Sequence, residues 1–99
     1  MSAATPAGTT AAIRPKRHVV SARRGGDMAL LDTERDRYFT LNDVGARVWE
    51  LLVERPRALD ALLDALEAEY DVTRETLRAD VARLLEALAG ARLVEWSEP

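Results

Sequence analysis

Residues 38–52 of this chain read Tyr38-Phe39-Thr40-Leu41-Asn42-Asp43-Val44-Gly45-Ala46-Arg47-Val48-Trp49-Glu50-Leu51-Leu52. The first four residues are aromatic, β-branched or aliphatic, which favours a β-strand. Asn42 then stands where a helix N-cap is needed, and Asp43 places an acid in the first turn, where the helix dipole favours it. Apolar residues follow at helical spacing, namely Val44, Val48, Leu51 and Leu52. The stretch therefore predicts a strand that passes directly into a first helix ending near Glu54.

Towards the N-terminus, the sequence predicts two more strands. Residues 18–22 and 28–32 are β-prone, and the residues between them include Gly25-Gly26, which supply the positive φ that a tight hairpin loop requires. A polar turn over residues 32–36 then leads to the strand at 37–41. Three strands joined by short turns predict an antiparallel meander.

Towards the C-terminus, two further amphipathic helices are predicted. Pro56 ends the first helix, and the second has an apolar stripe formed by Leu59, Leu62, Leu63, Leu66 and Tyr70. The third follows Thr73 as N-cap and ends at Gly90 as C′ cap, and its apolar side holds Leu77, Val81, Leu84, Leu85 and Leu88. Residues 92–96 predict a last strand or a packed tail. The predicted fold class is α+β, a three-stranded antiparallel β-meander packed on three α-helices.

The length and composition indicate one small domain. The chain has 99 residues, of which 47% are hydrophobic and 31% charged. It has no cysteine and one histidine, His18, so we expect no thiolate or histidine-rich metal site and no cofactor. No apolar run could cross a membrane and no signal core precedes the domain, so we expect a cytoplasmic protein without a membrane partner. Residues 1–16 contain one large aliphatic side chain after Met1, Ile13, and predict a disordered tail before a domain over residues 17–97.

The residue pattern does not predict catalysis. His18 and the hydroxyl residues lie in no motif that pairs a nucleophile with a base, so we expect no enzyme. Arginines interleave with the helical carboxylates, which is typical of a solvated surface rather than a metal cluster; these carboxylates are Asp60, Asp64, Glu67, Glu69, Asp80 and Glu86. Residues 38–99 carry seven basic and thirteen acidic side chains, a balance that repels a phosphate backbone.

The third predicted strand, residues 37–41, has a neighbour on one side only if the strands follow one another in order. Its other edge is then an unpaired row of backbone groups. The C-terminal segment or a helix could equally cover that edge, and both arrangements stay open at this point.

The stretch from Tyr38 to Leu52 resembles the PqqD-like family. The features that carry this resemblance are the aromatic strand, the Leu41-Asn42 junction, Gly45 three residues on, and the Val48-Trp49 pair. An acidic leucine-rich second helix, Tyr70-Asp71-Val72 and a terminal Leu93-Val94 extend it over residues 18–96. Leu41, Asn42, Gly45, Val48 and Trp49 are interpreted as structural.

The resemblance implies a leader-peptide recognition domain, the RiPP recognition element, with a winged-helix-like arrangement and no catalytic role. In such proteins the leader of a ribosomally made precursor peptide adds as a strand to the third strand, in the groove against the third helix. Carried onto this chain, the implied strand residues are Arg35, Asp36, Arg37, Tyr38, Phe39 and Thr40. The implied groove wall comprises Leu77, Arg78, Asp80, Val81, Leu84 and Leu85.

The stand-alone length is similar to that of the discrete leader-binding proteins of lasso-peptide pathways. Such proteins work with a separate leader peptidase and a cyclase. The PqqD protein itself, which hands its peptide to a radical enzyme, stays open as an alternative. We expect a monomer or a weak homodimer, because an exposed strand edge permits pairing between copies.

Two other classes of function remain. The first is a winged-helix DNA-binding regulator, with the third helix as recognition helix and residues 23–26 as the wing. Against it, Arg74, Arg78 and Arg83 are balanced by acids, and the helix offers no Asn or Gln to contact adenine. The second is a regulatory or structural subunit that would bind a partner helix through an exposed apolar strip on the second helix.

Overall fold

The computed structural model of the protein describes residues 11–97. Five strands and three helices follow one another in this part of the chain. Their order is β1 Ala12–Pro15, β2 Val19–Arg24, β3 Asp27–Asp32, β4 Arg37–Leu41, α1 Asp43–Glu54, α2 Leu59–Glu69, α3 Arg74–Gly90 and β5 Val94–Ser97. The predicted α+β class, with its three-stranded meander and three helices, is confirmed.

The main sheet has the strand order β2-β3-β4, and both pairs are antiparallel. Arg24 pairs with Asp27 across the two-residue loop Gly25-Gly26, and Gly25 has φ +67°. A positive φ at the first loop position is the requirement of a type II′ hairpin turn, which is the reason for a glycine there. The third predicted strand is β4, with the predicted bounds.

A second sheet, β1 with β5, corrects the predicted tail over residues 1–16. Ile13 lies opposite Trp96 in this sheet and is fully buried. The amide of Ile13 also donates to the carbonyl of Arg57 at 2.8 Å, and the amide of Lys16 donates to the carbonyl of Leu93 at 2.9 Å. Residues 11–16 therefore belong to the domain, because burial of Ile13 and pairing with β5 stabilise this short segment. Residues 1–10 of the predicted tail lie outside the described residues.

The helix caps agree with the sequence at both predicted N-termini. The Asn42 side chain accepts a hydrogen bond from the amide of Gly45 at 2.9 Å, and Thr73 accepts one from the amide of Thr76 at 3.3 Å. A Cβ on Gly45 would lie 3.3 Å from both Leu41 Cβ and Asn42 Oδ1, so the strand-to-helix junction favours glycine there.

The predicted C′ cap at Gly90 is wrong, because α3 continues through Gly90. The left-handed residue is Arg92, with φ +65°. The amides of Arg92 and Leu93 donate back to the carbonyls of Ala89 and Leu88, which is a Schellman motif. Leu93 is fully buried, so the turn lies where it can place this side chain in the core.

One hydrophobic core joins the inner face of the main sheet to the helices and to β1. Trp49 is 1% exposed and lies within it, as expected for a structural residue. Leu62, Leu63 and Leu66 place the apolar side of α2 in the same core. Among residues 11–97, no helix is long and apolar enough to span a membrane.

Candidate functional site

The outer edge of β4 has no strand beside it within the described residues. The main sheet ends at β4, and the C-terminal segment forms β5 and pairs with β1 instead. The interpretation in which the C-terminal segment covers β4 is therefore wrong. An unpaired edge leaves backbone N–H and C=O groups available to a further extended chain.

The register identifies which backbone groups face this edge. The amide of Thr33 donates to the carbonyl of His18 at 3.1 Å, so odd-numbered residues of β3 bond towards β2. Even-numbered residues of β3 then bond towards β4, because bonding direction alternates along an antiparallel strand. Their partners on β4 are Arg37, Phe39 and Leu41. The N–H and C=O groups of Tyr38 and Thr40 consequently point to the open edge.

Side chains on β4 alternate between the two faces of the sheet. Leu41 is buried and Phe39 is half-buried against the core, whereas Tyr38 is 74% exposed on the outer face. Thr40 lies on the outer face with Tyr38. A peptide strand added at this edge would therefore bond to the β4 backbone, and its inward side chains would lie on the face of the sheet that carries the helices.

A groove of about 530 Å³ lies beside α3 and the first turn of α1. Its lining is mostly apolar, and the residues that form it are Asn42, Val44, Gly45, Val72, Leu77, Asp80, Val81, Arg83, Leu84 and Ala87. Asp80 and Arg83 form an exposed ion pair at 3.7 Å. Val72, which is 41% exposed, is one of the few large apolar side chains of the described chain left open to solvent.

The structure brings most of the implied helix residues to the groove. Leu77, Asp80, Val81 and Leu84 line it. Arg78 does not, because its guanidinium donates to Asp60 on α2 at 3.0 Å. Leu85 does not line it either and packs in the core. The apolar stripe of α3 is thus divided between the core and the groove.

The implied strand residues divide at the start of β4. Arg37, Tyr38, Phe39 and Thr40 belong to the strand, whereas Arg35 and Asp36 lie in the β3–β4 loop. Asp36 has φ +56°, a left-handed conformation that Asp tolerates and that interrupts an extended edge.

Six groove residues were absent from the expected set, namely Asn42, Val44, Gly45, Val72, Arg83 and Ala87. Asn42 and Gly45 were interpreted as structural, and they also line the groove. The sequence signal for them is the strand-to-helix junction itself, which places the first turn of α1 beside the end of β4.

The carboxylate of Asp32 organises the loop that precedes β4. It is completely buried and accepts the amides of Glu34 at 3.0 Å and Arg35 at 3.1 Å. Burial alone would raise the pKa of Asp32, but these two bonds and the Arg37 guanidinium outweigh it and hold the pKa below its ordinary value. His18 Nε2 lies 3.3 Å from the same carboxylate. The start of β4 is therefore fixed by a charged, buried anchor.

Comparison with known proteins identifies the family. The family model described as coenzyme PQQ synthesis protein D (PqqD) matches residues 27–94. The chain belongs to the PqqD family. The PqqD match begins at β3 and ends in β5, so it includes β4, all three helices and every residue that lines the groove. A search of curated protein sequences found no significant match.

Two solved structures are similar to this PqqD-family chain. One is TbiB1 in complex with the TbiA(beta) leader peptide, at 39% identity and a TM-score of 0.76, covering 83% of this chain and 94% of that chain. The other is a lasso peptide synthetase B1 complexed with the leader peptide, at 25% identity and a TM-score of 0.72, covering 84% and 96%. Each similarity covers more than four-fifths of this chain, and together with the family match they confirm the resemblance stated for residues 38–52.

Proposed function

We propose that this protein binds the leader region of a ribosomally synthesised precursor peptide, and that this precursor gives rise to a lasso peptide. The leader adds as a strand to the edge of β4 and lies in the groove against α3. The observation that carries this proposal is the open β4 edge beside a mostly apolar groove. The two similar structures, each a complex with a leader peptide, support it.

Edge and groove contribute different parts of recognition. Backbone hydrogen bonds to Tyr38 and Thr40 tolerate many peptide sequences, whereas a groove that takes alternate side chains selects among them. Micromolar binding requires about −8 kcal/mol, and the ordering of a flexible leader opposes it. Burial of a few apolar leader side chains against Val72, Leu84 and Ala87 supplies the binding free energy that the backbone hydrogen bonds do not.

The protein itself performs no chemistry in this proposal. A separate leader peptidase and a cyclase act on the peptide while the leader is held. Binding then raises the effective concentration of the rest of the precursor at a docked enzyme. We further propose that the protein works in the cytoplasm, as a monomer or a weak homodimer, without a cofactor.

Ion pairing weighs against the DNA-binding alternative. Arg74 donates to Asp64 and Glu67 at 2.8 Å, and the other α3 arginines pair with Asp60 and Asp80. Arg23 in the β2–β3 hairpin donates to Glu50 at 2.9 Å. Arginines already neutralised by carboxylates have little attraction left for phosphates.

The structure also disfavours partner binding through α2. Leu62, Leu63 and Leu66 of α2 are buried in the core, and Leu59 is partly buried against it. The exposed large hydrophobic residues of the described chain are Val20, Tyr38, Val53 and Val72, none of which is on α2. An exposed apolar strip on α2, which that function requires, is missing from the described residues.

The proposal is tested by fluorescence polarisation of a labelled leader peptide from the precursor gene beside this one. The titration is run at two salt concentrations, with random duplex DNA in parallel. We expect saturable peptide binding with weak salt dependence. Steeply salt-dependent DNA binding without peptide binding would instead establish the winged-helix regulator.

Two exposed alanines of α3 provide a matched pair for the groove. Ala87 lines the groove, whereas Ala79 is exposed and lies outside it. Ala87→Glu places a charge where apolar peptide side chains would be buried, so we expect about tenfold weaker binding or more. Ala79→Glu adds the same charge to the same helix and should leave the affinity unchanged. Equal affinities in both variants would remove the groove from the binding site.

A further inference from the structure

The side chain of Arg37 connects the start of β4 to the C-terminal end of α3. It is the first residue of β4, and one of its terminal nitrogens lies 3.4 Å from Asp32 Oδ2 and 3.3 Å from the backbone carbonyl of Ala91. Asp32 ends β3, and Ala91 is the C-cap of α3. One guanidinium therefore contacts both the β3–β4 hairpin and the C-terminal end of α3.

The hairpin side of this connection is rigid. Asp32 is fully buried and is held by two loop amides, so its carboxylate has a fixed position. The guanidinium of Arg37 also lies 5.2 Å from the ring centroid of Phe39, a cation–π distance. The direction in which Arg37 leaves β4 is thereby defined.

The contact between Arg37 and the end of α3 is favoured electrostatically. Carbonyls at the C-terminus of a helix carry partial negative charge and favour a cation nearby. The last turn of α3 contains no basic residue of its own. Arg37 supplies the missing cation from the strand, which draws the C-terminal end of α3 towards the first residue of β4.

We propose that Arg37 is a positioning residue that sets the separation between the start of β4 and the C-terminal end of α3, the helix whose earlier turns line the groove. This inference rests on the proposed peptide binding at the β4 edge. A peptide strand must bond to the edge and pack on α3 at the same time. If the distance between β4 and α3 varied, the peptide could bond to the edge or pack on α3, but not do both well. Loss of the Arg37 side chain should therefore weaken binding although Arg37 itself does not contact the peptide.

Arg35 offers a matched control. Its guanidinium also pairs with Asp32, at 3.6 Å, and the structure gives it no bond to α3. Arg37→Gln should weaken leader binding about three- to tenfold, a range typical of losing modest hydrogen bonds. Arg35→Gln also removes a charge partner of Asp32 but no contact with α3, so it should weaken binding less than Arg37→Gln does. One nitrogen of Arg37 makes both contacts, and a lysine ammonium also carries several donors, so Arg37→Lys should recover part of the affinity that Arg37→Gln loses.

A distance measurement tests the separation itself. The chain has no cysteine, so spin labels at Glu34→Cys and Gly90→Cys report on the loop and the end of α3. A Cβ at Gly90 meets nothing within 4 Å, so the label is accommodated. We expect a broader distance distribution without peptide in Arg37→Gln and an unchanged one in Arg35→Gln.

The outcomes separate this role from others. Unchanged affinity or an unchanged distance distribution in Arg37→Gln would overturn it. Equal loss of affinity in Arg35→Gln would show that both arginines act only through Asp32. Disappearance of the effect when acidic leader residues are replaced by their amides would show direct contact with the peptide. Failure of the unaltered protein to bind would refute the proposed function, while the distance measurement would still test the connection.

Discussion

The replacement of Thr40 by proline tests strand addition at a single backbone atom. The register places the N–H of Thr40 at the open edge of β4, so Thr40→Pro removes a donor that no residue of the sheet uses. Phe39, which precedes it, is already extended, as a residue before proline prefers. Proline is tolerated on edge strands whose N–H faces outward. The variant should therefore fold.

The expected loss of affinity follows from the hydrogen bond and the ring. One net hydrogen bond contributes about 1 kcal/mol, which is about fivefold in Kd. The pyrrolidine ring also occupies the space through which a peptide carbonyl would approach the edge. Together these effects predict binding weaker by about tenfold or more.

Ser21→Pro is the matched control, because Ser21 has the equivalent position on the opposite edge of the sheet. By the same alternation its N–H points away from β3, so this variant also removes an outward donor and no bond of the ladder. Both variants are compared by fluorescence polarisation with the leader peptide and by thermal unfolding. Unchanged affinity in folded Thr40→Pro, or an equal loss in Ser21→Pro, would refute strand addition at β4.

Three further predictions concern the support of the site. Asn42→Ala removes the N-cap of α1 and should destabilise the protein by about 1 kcal/mol, lowering Tm by about 4–8 °C in a thermal melt. Ile13→Ala should lower the free energy of unfolding by about 2–5 kcal/mol in urea titrations, because Ile13 is fully buried; a change below about 0.5 kcal/mol would contradict the place of β1 in the core. The folded-state pKa of Asp32 lies below its ordinary value of 3.8, so the ionised carboxylate stabilises the fold above that pH, and this stabilisation is lost as the pH falls through the lower folded pKa. In Asp32→Asn, the free energy of unfolding should therefore fall less steeply at acidic pH than in the unaltered protein.

Sequence reasoning succeeded where the signal is local. The junction Leu41-Asn42 combines the end of a strand with a capping side chain, and both operate within a few residues. The bounds of β4 and α1 followed from these short-range preferences. The division of α3 between core and groove was harder, because periodicity gives an apolar side but not which part of it another element covers. Leu85 and Ala87 show the consequence: the predicted groove residue is in the core, and an alanine lines the groove.

The β1–β5 sheet could not be predicted from the sequence, because its two strands come from opposite ends of the chain. Ile13 stands in a segment of small and polar residues, and its strand partner Trp96 comes from the other end of the chain. No sequence feature near Ile13 predicts its pairing with Trp96. The end of α3 is similar, since the turn at Arg92 is placed by burial of Leu93 and not by the glycine two residues earlier.

The β1 segment and the end of α3 together explain why the edge of β4 stays open. In residues 11–97, β1 and β5 lie outside the main sheet, and β5 is the C-terminal strand that could have covered β4. Pairing with β1 satisfies β5 instead, and the buried side chain of Ile13 holds β1 in place. The Schellman turn at Arg92 directs the chain from α3 towards β1, and Arg37 holds the end of that helix beside β4. The fold thus leaves the β4 edge of its main sheet unpaired because β5 is already paired with β1, and an unpaired edge is what capture of an external peptide strand requires.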